Sequence, residues 1–149
     1  MALDEIYKEV ILDHYKNPRN KRELPDAELT CSKNNPLCGD EITVFAHAED
    51  GKVLEVSFVG QGCSISQSSA SMMTEAVSGK TVEDVGSIAR DVRAMLAGEL
   101  EPDEETFGEL VALKGVVKYP VRVKCAVLAW DVLQDALAGE GSAGGSSPH

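Results

Sequence analysis

The chain has 149 residues, a formal net charge of −11, and 43% hydrophobic residues. This length and composition are typical of one globular domain with a substantial core. The negative charge argues against a general nucleic-acid-binding surface, which needs clustered lysine and arginine. The uncharged run 56–74 is too rich in serine, glycine and glutamine for a membrane span, and the N-terminus lacks the pattern of a secretory signal. These features predict a cytoplasmic protein whose cysteines stay reduced.

The first half of the chain predicts a helix followed by a small antiparallel sheet. Apolar residues at helical spacing indicate a helix over residues 3–16. The runs 41–48 and 53–59 alternate in polarity, and Asp50-Gly51 between them is a strong hairpin signal. Residues 28–34 are the candidate third strand. The faces expected to point inward are Ile42, Val44, Ala46 and Ala48 on one strand and Leu54, Val56 and Phe58 on the next.

Helices dominate the second half. Ser64 or Ser66 is expected to cap a helix that closes at Gly79, and Thr81 to begin another that ends near Gly98. A short helix is predicted over residues 103–113, and Pro120 is expected to open the last helix. The sequence therefore predicts one α+β domain over residues 1–138, with a three-stranded antiparallel sheet packed with helices. Residues 139–149 are predicted to be a flexible tail.

Cys38, Asp40, Cys63 and Cys125 are the candidate metal ligands. Cys38 and Asp40 flank Gly39, Cys63 follows a glycine, and Cys125 falls near the start of the last predicted helix. Three thiolates and a carboxylate make a four-ligand set for Zn²⁺ or for a thiolate-bound iron–sulfur cluster. The chain has no Cys-x-x-Cys pair, so spacing alone leaves open that these are inert buried thiols.

Four segments around these residues resemble one protein family. They are ILDHYKNPRN (11–20), NPLCGD (35–40), GQGCSIS (60–66) and PVRVKCAVLAW (120–130). Their order and spacing resemble the IscU/NifU N-terminal-domain family of iron–sulfur cluster assembly proteins. The chain is most similar to the SufU branch, because Lys124 precedes the last cysteine where the IscU branch carries a histidine ligand. The connection between Cys63 and Cys125 is also longer than in the IscU branch.

The resemblance implies a fold, a site and a function. It implies a SufU/IscU-like domain in which Cys38, Asp40, Cys63 and Cys125 hold Zn²⁺. It also implies that Cys38 accepts persulfide sulfur from a PLP-dependent cysteine desulfurase of the SufS type. On this interpretation the chain is a zinc-dependent sulfurtransferase that stimulates its partner, rather than a stand-alone enzyme.

Two alternatives stay open at this point. In one, the chain is a scaffold on which a [2Fe-2S] cluster is built and passed to downstream assembly proteins or apo-proteins. In the other, it is a small interaction module with structural zinc. Thiolate sites accept both zinc and iron, so the sequence does not select the metal.

Four other residues are not predicted to be metal ligands. Arg122, one helical turn before Cys125, is expected to face the ligands and offset their negative charge. Cys31 is predicted to be a bystander, because the family does not use this position. His14 is expected at the surface or in packing, and His47 in a structural role.

Overall fold

The computed structural model describes residues 3–25, 27–35, 39–101 and 103–141, without the side chains of residues 3–7, 104, 106 and 139–141. The chain forms five α-helices, one 3₁₀ helix and three strands within these ranges. In chain order they are α1 (Leu3–Lys16), β1 (Leu29–Asn35), β2 (Asp40–Glu49), β3 (Lys52–Gln61), α2 (Ser64–Val77), α3 (Val82–Leu96), α4 (Glu104–Phe107), the 3₁₀ helix (Gly108–Val116) and α5 (Pro120–Gly141).

The sheet has the predicted antiparallel topology. Its strand order is β1-β2-β3, and both pairings are antiparallel. Asp50 and Gly51 join β2 to β3 with positive φ angles of 53° and 76°, the backbone that a two-residue hairpin turn requires. The face of β2 that was predicted to point inward is buried at all four positions. The predicted α+β architecture is therefore confirmed.

The predicted inward face of β3 is wrong at one position. Val56 and Phe58 are fully buried as expected, but Leu54 is exposed and Val53 takes the core position instead. The pairing shifts register between His47 and Ala48, so that β3 carries one extra residue opposite this point. Because a bulge moves the following side chains to the other face, the alternation breaks at Leu54.

The core lies between the sheet and the helices, and small polar residues of α2 bring the helices close together. Helix α2 packs against α1 and α5, and α5 also covers β1 and β2. Ser68 donates a hydrogen bond of 2.6 Å to the Ile11 carbonyl of α1, and Ser69 donates one of 2.6 Å to the Ala126 carbonyl of α5. Both serines are fully buried, so these bonds satisfy hydroxyls that water does not reach.

Three predictions about the helices and the tail need correction. Cys63 itself, rather than Ser64 or Ser66, is the N-cap of α2. The region predicted as one short helix over 103–113 forms α4 followed by the 3₁₀ helix. Helix α5 continues to Gly141, so residues 139–141 of the predicted flexible tail are helical. The rest of the predicted tail, 142–149, lies outside the described residues. None of the helices in the described ranges has the length and apolar run needed to cross a membrane.

We expect Ser69→Ala to lower the free energy of unfolding by about 2 kcal/mol, because it leaves the Trp130 indole N–H without its partner in the core. That N–H donates to Ser69 Oγ over 3.2 Å, and Trp130 is fully buried. Urea unfolding measures the change. The matched control is Ser32→Ala, which removes an exposed hydroxyl bonded to Thr43. An equal loss in both variants would contradict a special role for the buried bond.

Candidate metal centre

Three of the four candidate ligands converge at one end of the sheet. One ligand atom each from Asp40, Cys63 and Cys125 lies within 4.8 Å of the other two. The β2–β3 pairing explains the first two, since Glu41 pairs with Gln61 and therefore places the start of β2 beside the end of β3. Cys125 joins them because α5 packs across this part of the sheet and against α2.

The carboxylate of Asp40 is oriented by a backbone hydrogen bond. The Cys63 N–H donates to Asp40 Oδ1 over 2.8 Å, while Oδ2 lies 3.8 Å from Cys63 Sγ. Asp40 is only 1% exposed, and none of the ion pairs among the described residues includes it. A buried carboxylate is costly unless a positive charge or several hydrogen bonds compensate it. A cation held beside Oδ2 would supply that compensation.

Gly62 makes room for the Asp40 side chain. Its φ angle is +144°, a conformation that residues with a side chain rarely adopt. A Cβ atom at this position would lie 2.2 Å from Asp40 Oδ1, far inside van der Waals contact. Gly62 therefore allows the backbone turn before Cys63 and leaves the space that the Asp40 carboxylate occupies.

The two described thiols of the centre lie at or near helix starts. Cys63 caps α2, and its Sγ accepts a contact of 3.5 Å from the Ser66 N–H. Cys125 is fully buried in the second turn of α5, with its Sγ 3.4 Å from the Val121 carbonyl. Each thiol is thus held in place by a backbone group of the helix that it caps or belongs to.

The donor set fits a tetrahedral zinc ion. With Zn–S bonds near 2.3 Å and Zn–O bonds near 2.0 Å, tetrahedral ligand atoms lie about 3.5–3.8 Å apart. A sulfur and an oxygen ligand take the lower end of this range, about 3.5 Å. Cys63 Sγ and Asp40 Oδ2 lie 3.8 Å apart, so a small closure would bring them to this distance. Cys38, the fourth predicted ligand, lies outside the described residues, so its place in the set stays a prediction.

Arg122 and Lys124 are both exposed on the first turns of α5. Arg122 lines a groove next to the centre, together with Ser64 and Ile65 of α2. It makes no hydrogen bond or ion pair with the described ligands, so its predicted charge-offsetting role stays a prediction. Lys124 lines a separate depression with Lys33 and Asn35, at the other side of α5.

Cys31 is not part of the group formed by the three described ligands, and its role as a bystander stays a prediction. It pairs with Val44 in the sheet and is buried. Burial raises the pKa of its thiol. A buried thiol with a raised pKa carries little thiolate and reacts slowly.

A second polar cluster surrounds His14, which the sequence did not assign to a site. His14 is fully buried, with Nδ1 2.8 Å from Ser71 Oγ and Nε2 2.8 Å from Glu109 Oε1. Glu75 also offers a carboxylate oxygen to this group. His14 thereby joins α1, α2 and the 3₁₀ helix, which confirms packing rather than a surface position. Sequence reasoning missed Glu109 because it lies 95 residues from His14.

Comparisons with known proteins show similarity over most of the chain. The NifU-like N-terminal domain family model matches residues 6–126. The chain is 44% identical over 138 residues to the zinc-dependent sulfurtransferase SufU of Bacillus subtilis, covering 93% of each chain. It is 38% identical to the iron–sulfur cluster assembly scaffold protein IscU of Streptococcus pyogenes, covering 91% of this chain and 84% of the relative. The crystal structure of the N-terminal part of a NifU-like protein from Brucella abortus superposes with a TM-score of 0.85 at 25% identity, covering 95% of this chain and 99% of that one.

We expect Gly62→Ala to weaken zinc binding by about tenfold or more, as changes next to metal ligands commonly do. The added methyl group would displace Asp40 Oδ1 and with it the orientation of the carboxylate. Competition with a chromophoric zinc chelator measures the affinity. Gly51→Ala is the control, because Gly51 also has a positive φ but its Cβ would meet no atom within 4 Å. Equal affinities in the two variants would contradict the steric argument.

Thiol labelling should separate the ligand cysteines from Cys31. In zinc-free folded protein we expect a maleimide to modify Cys63, which is partly exposed, much faster than Cys31. Adding zinc should protect Cys63 and leave the slow rate at Cys31 unchanged. Mass spectrometry of the digested protein gives the rate at each cysteine. Zinc protection of Cys31, or none at Cys63, would overturn the assignment.

Proposed function

The chain belongs to the NifU-like N-terminal domain family, and from that membership we propose that it is a zinc-dependent sulfurtransferase of iron–sulfur cluster assembly. The observation that carries the proposal is the convergence of Asp40, Cys63 and Cys125 at one end of the sheet. The SufU relative from Bacillus subtilis, whose name states this activity, aligns over 93% of the chain. The proposed ligand set is these three residues and Cys38, in a cytoplasmic protein.

In the proposed reaction the chain receives sulfur from a PLP-dependent cysteine desulfurase. The Cys38 thiolate attacks the outer sulfur of a persulfide on the donor enzyme. A new S–S bond forms at Cys38, the old S–S bond breaks, and the donor cysteine leaves as a thiolate. No external oxidant or reductant is needed, because one persulfide replaces another. Downstream assembly proteins or apo-proteins would then receive the sulfur.

The other residues of the centre are proposed to hold the zinc ion and to position the ligands around Cys38. When bound, zinc keeps the ligand thiols deprotonated and shields them from oxidation. Asp40 holds its position through the Cys63 N–H, and Gly62 leaves space for it. The carboxylate is the one oxygen ligand in a set of softer thiolates, so we propose that it is the weakest of the four. Arg122 is proposed to offset negative charge when the acceptor site is loaded.

A scaffold for a [2Fe-2S] cluster is the second candidate function. The IscU relative from Streptococcus pyogenes, which is 38% identical, is named a scaffold protein. The same thiolates and Asp40 could hold a cluster in place of zinc. Lys124, however, stands where the IscU branch carries a histidine, and a protonated lysine is not a metal ligand. We therefore rank the scaffold behind the sulfurtransferase.

The test is alanine production from cysteine by the cognate desulfurase, with and without the zinc-loaded chain. We expect a rate increase of about tenfold or more that vanishes with Cys38→Ala, because the donor persulfide then has no acceptor. Mass spectrometry should find one extra sulfur atom on the peptide containing Cys38. Cys31→Ala is the matched control, since it also removes a thiol but should stimulate like the wild type.

The outcomes separate the two functions and the structural-zinc alternative. Full stimulation by Cys38→Ala would overturn the acceptor assignment. No stimulation by the wild type, together with a coloured cluster that transfers to an apo-ferredoxin, would establish the scaffold instead. If the chain neither stimulates nor transfers a cluster, and chelation unfolds it, the structural-zinc module is correct.

A further inference from the structure

A groove of about 420 Å³ opens directly beside the metal centre. Residues of α1, the start of α2, the loop before α5 and the first turn of α5 line it. Ser64 and Ile65 follow the ligand Cys63 in the chain, and Arg122 precedes the ligand Cys125 by one helical turn. A molecule seated in this groove would therefore touch the rim of the centre.

The groove combines an apolar floor with a positively charged rim. Ile11, Ile65 and Val116 are apolar lining residues, while the rim carries Lys8 and Arg122. No carboxylate occurs among its lining residues in the part of the chain that the structure describes. This is unusual for a protein with 25 acidic and 14 basic residues, in which a random patch of surface would be acidic. The charge of the described lining residues is thus opposite to the net charge of the chain.

Large apolar side chains are exposed at the same place. Leu12 is 46% exposed and Tyr119 is 58% exposed, and both line the groove. Val121, 55% exposed, follows Tyr119 by two residues. Exposed aromatic and aliphatic residues with a basic rim are typical of a surface that binds another protein.

We propose that this groove, defined by Lys8, Leu12, Ile65, Tyr119 and Arg122, seats an acidic and apolar segment of the sulfur-donating enzyme. The inference rests on the proposed function, because the occupant must bring its persulfide to the adjacent centre. Charge complementarity selects an acidic segment, and the apolar floor selects one with large hydrophobic side chains. Continuity with the metal centre selects the sulfur donor rather than an unrelated partner.

A second copy of the chain is the competing occupant. The chain is strongly acidic, so an acidic part of another copy would also satisfy the charge. Two carboxylate-rich copies would, however, repel each other over most of their surface. The sulfur donor is therefore the favoured occupant, and self-association becomes an outcome of the test.

The test titrates the chain against a fixed amount of the desulfurase and measures direct binding in parallel. Lys8→Glu should raise the half-saturating concentration by about tenfold at low salt and leave the maximal rate and the zinc content unchanged. The difference should shrink at high salt, because screening weakens a charge on the rim. Leu12→Ser should raise the half-saturating concentration by about fivefold or more with little salt dependence.

Lys52→Glu and Leu54→Ser are the matched controls, since they make the same changes on exposed residues near the β2–β3 turn. Strands β2 and β3 have ten residues each, which puts this turn roughly 30 Å from the metal centre. The controls should titrate like the wild type. Groove variants that titrate like the wild type, or that change only the maximal rate, would overturn the proposal.

Direct binding separates a failure of the groove from a failure of the proposed function. If the wild type binds the desulfurase without stimulating it and the groove variants bind more weakly, the groove stands and the sulfurtransferase function fails. If the wild type stimulates the desulfurase and the Lys8 and Leu12 variants bind it as tightly as the wild type does, the groove proposal fails and the sulfurtransferase function stands. Sedimentation of the chain without the desulfurase tests whether a second copy occupies the groove. A dimer that dissociates in the Leu12→Ser variant would assign the groove to a second copy and overturn the proposal.

Discussion

The hydrogen bond from the Cys63 N–H to Asp40 Oδ1 is the contact on which the arrangement of the metal centre depends. It joins two ligands that are 23 residues apart in the chain, and it fixes which carboxylate oxygen faces the Cys63 thiol. The β2–β3 register makes the bond possible, because it places Asp40 beside the end of β3. Gly62 leaves the space in which it forms. A buried carboxylate and a thiol that caps a helix are thereby held together before any metal binds, so little rearrangement is needed on binding.

The third described ligand depends on a different contact, between helices. Ser69 of α2 donates to the carbonyl of Ala126, the residue that follows Cys125 on α5. Its small side chain lets the two helices approach, and its hydroxyl fixes their relative position. Because Cys63 caps α2 and Cys125 lies on α5, this helix–helix contact helps to hold together two ligands from distant parts of the chain. The serine-rich composition of α2, which argued against a membrane span, is explained by this packing.

The sequence allowed most of the fold to be predicted, and the errors have local causes. Alternation and Asp50-Gly51 were enough to predict the hairpin and the buried face of β2. The error at Leu54 arises from a bulge, because one extra residue shifts the pattern without leaving a distinct composition. The N-cap was assigned to a serine because serine is the usual cap, whereas here the cap is the ligand Cys63. The partners of His14 could not be predicted, since they depend on how three separate elements pack.

The candidate centre was predicted largely through the family resemblance. Residue types and spacing alone gave four ligands without Cys-x-x-Cys, a pattern that buried inert thiols share. The structure adds what spacing cannot give, namely that Asp40, Cys63 and Cys125 approach one another while Cys31 stays within the sheet.

The structure also shows that the described lining residues of the groove beside the metal centre differ in charge from the whole chain. Net charge excludes partners that need a uniformly basic protein, but a partner meets only the patch that it covers. The described lining residues of the groove beside this centre are basic and apolar. An acidic protein with such a groove has a place where an acidic partner would be attracted.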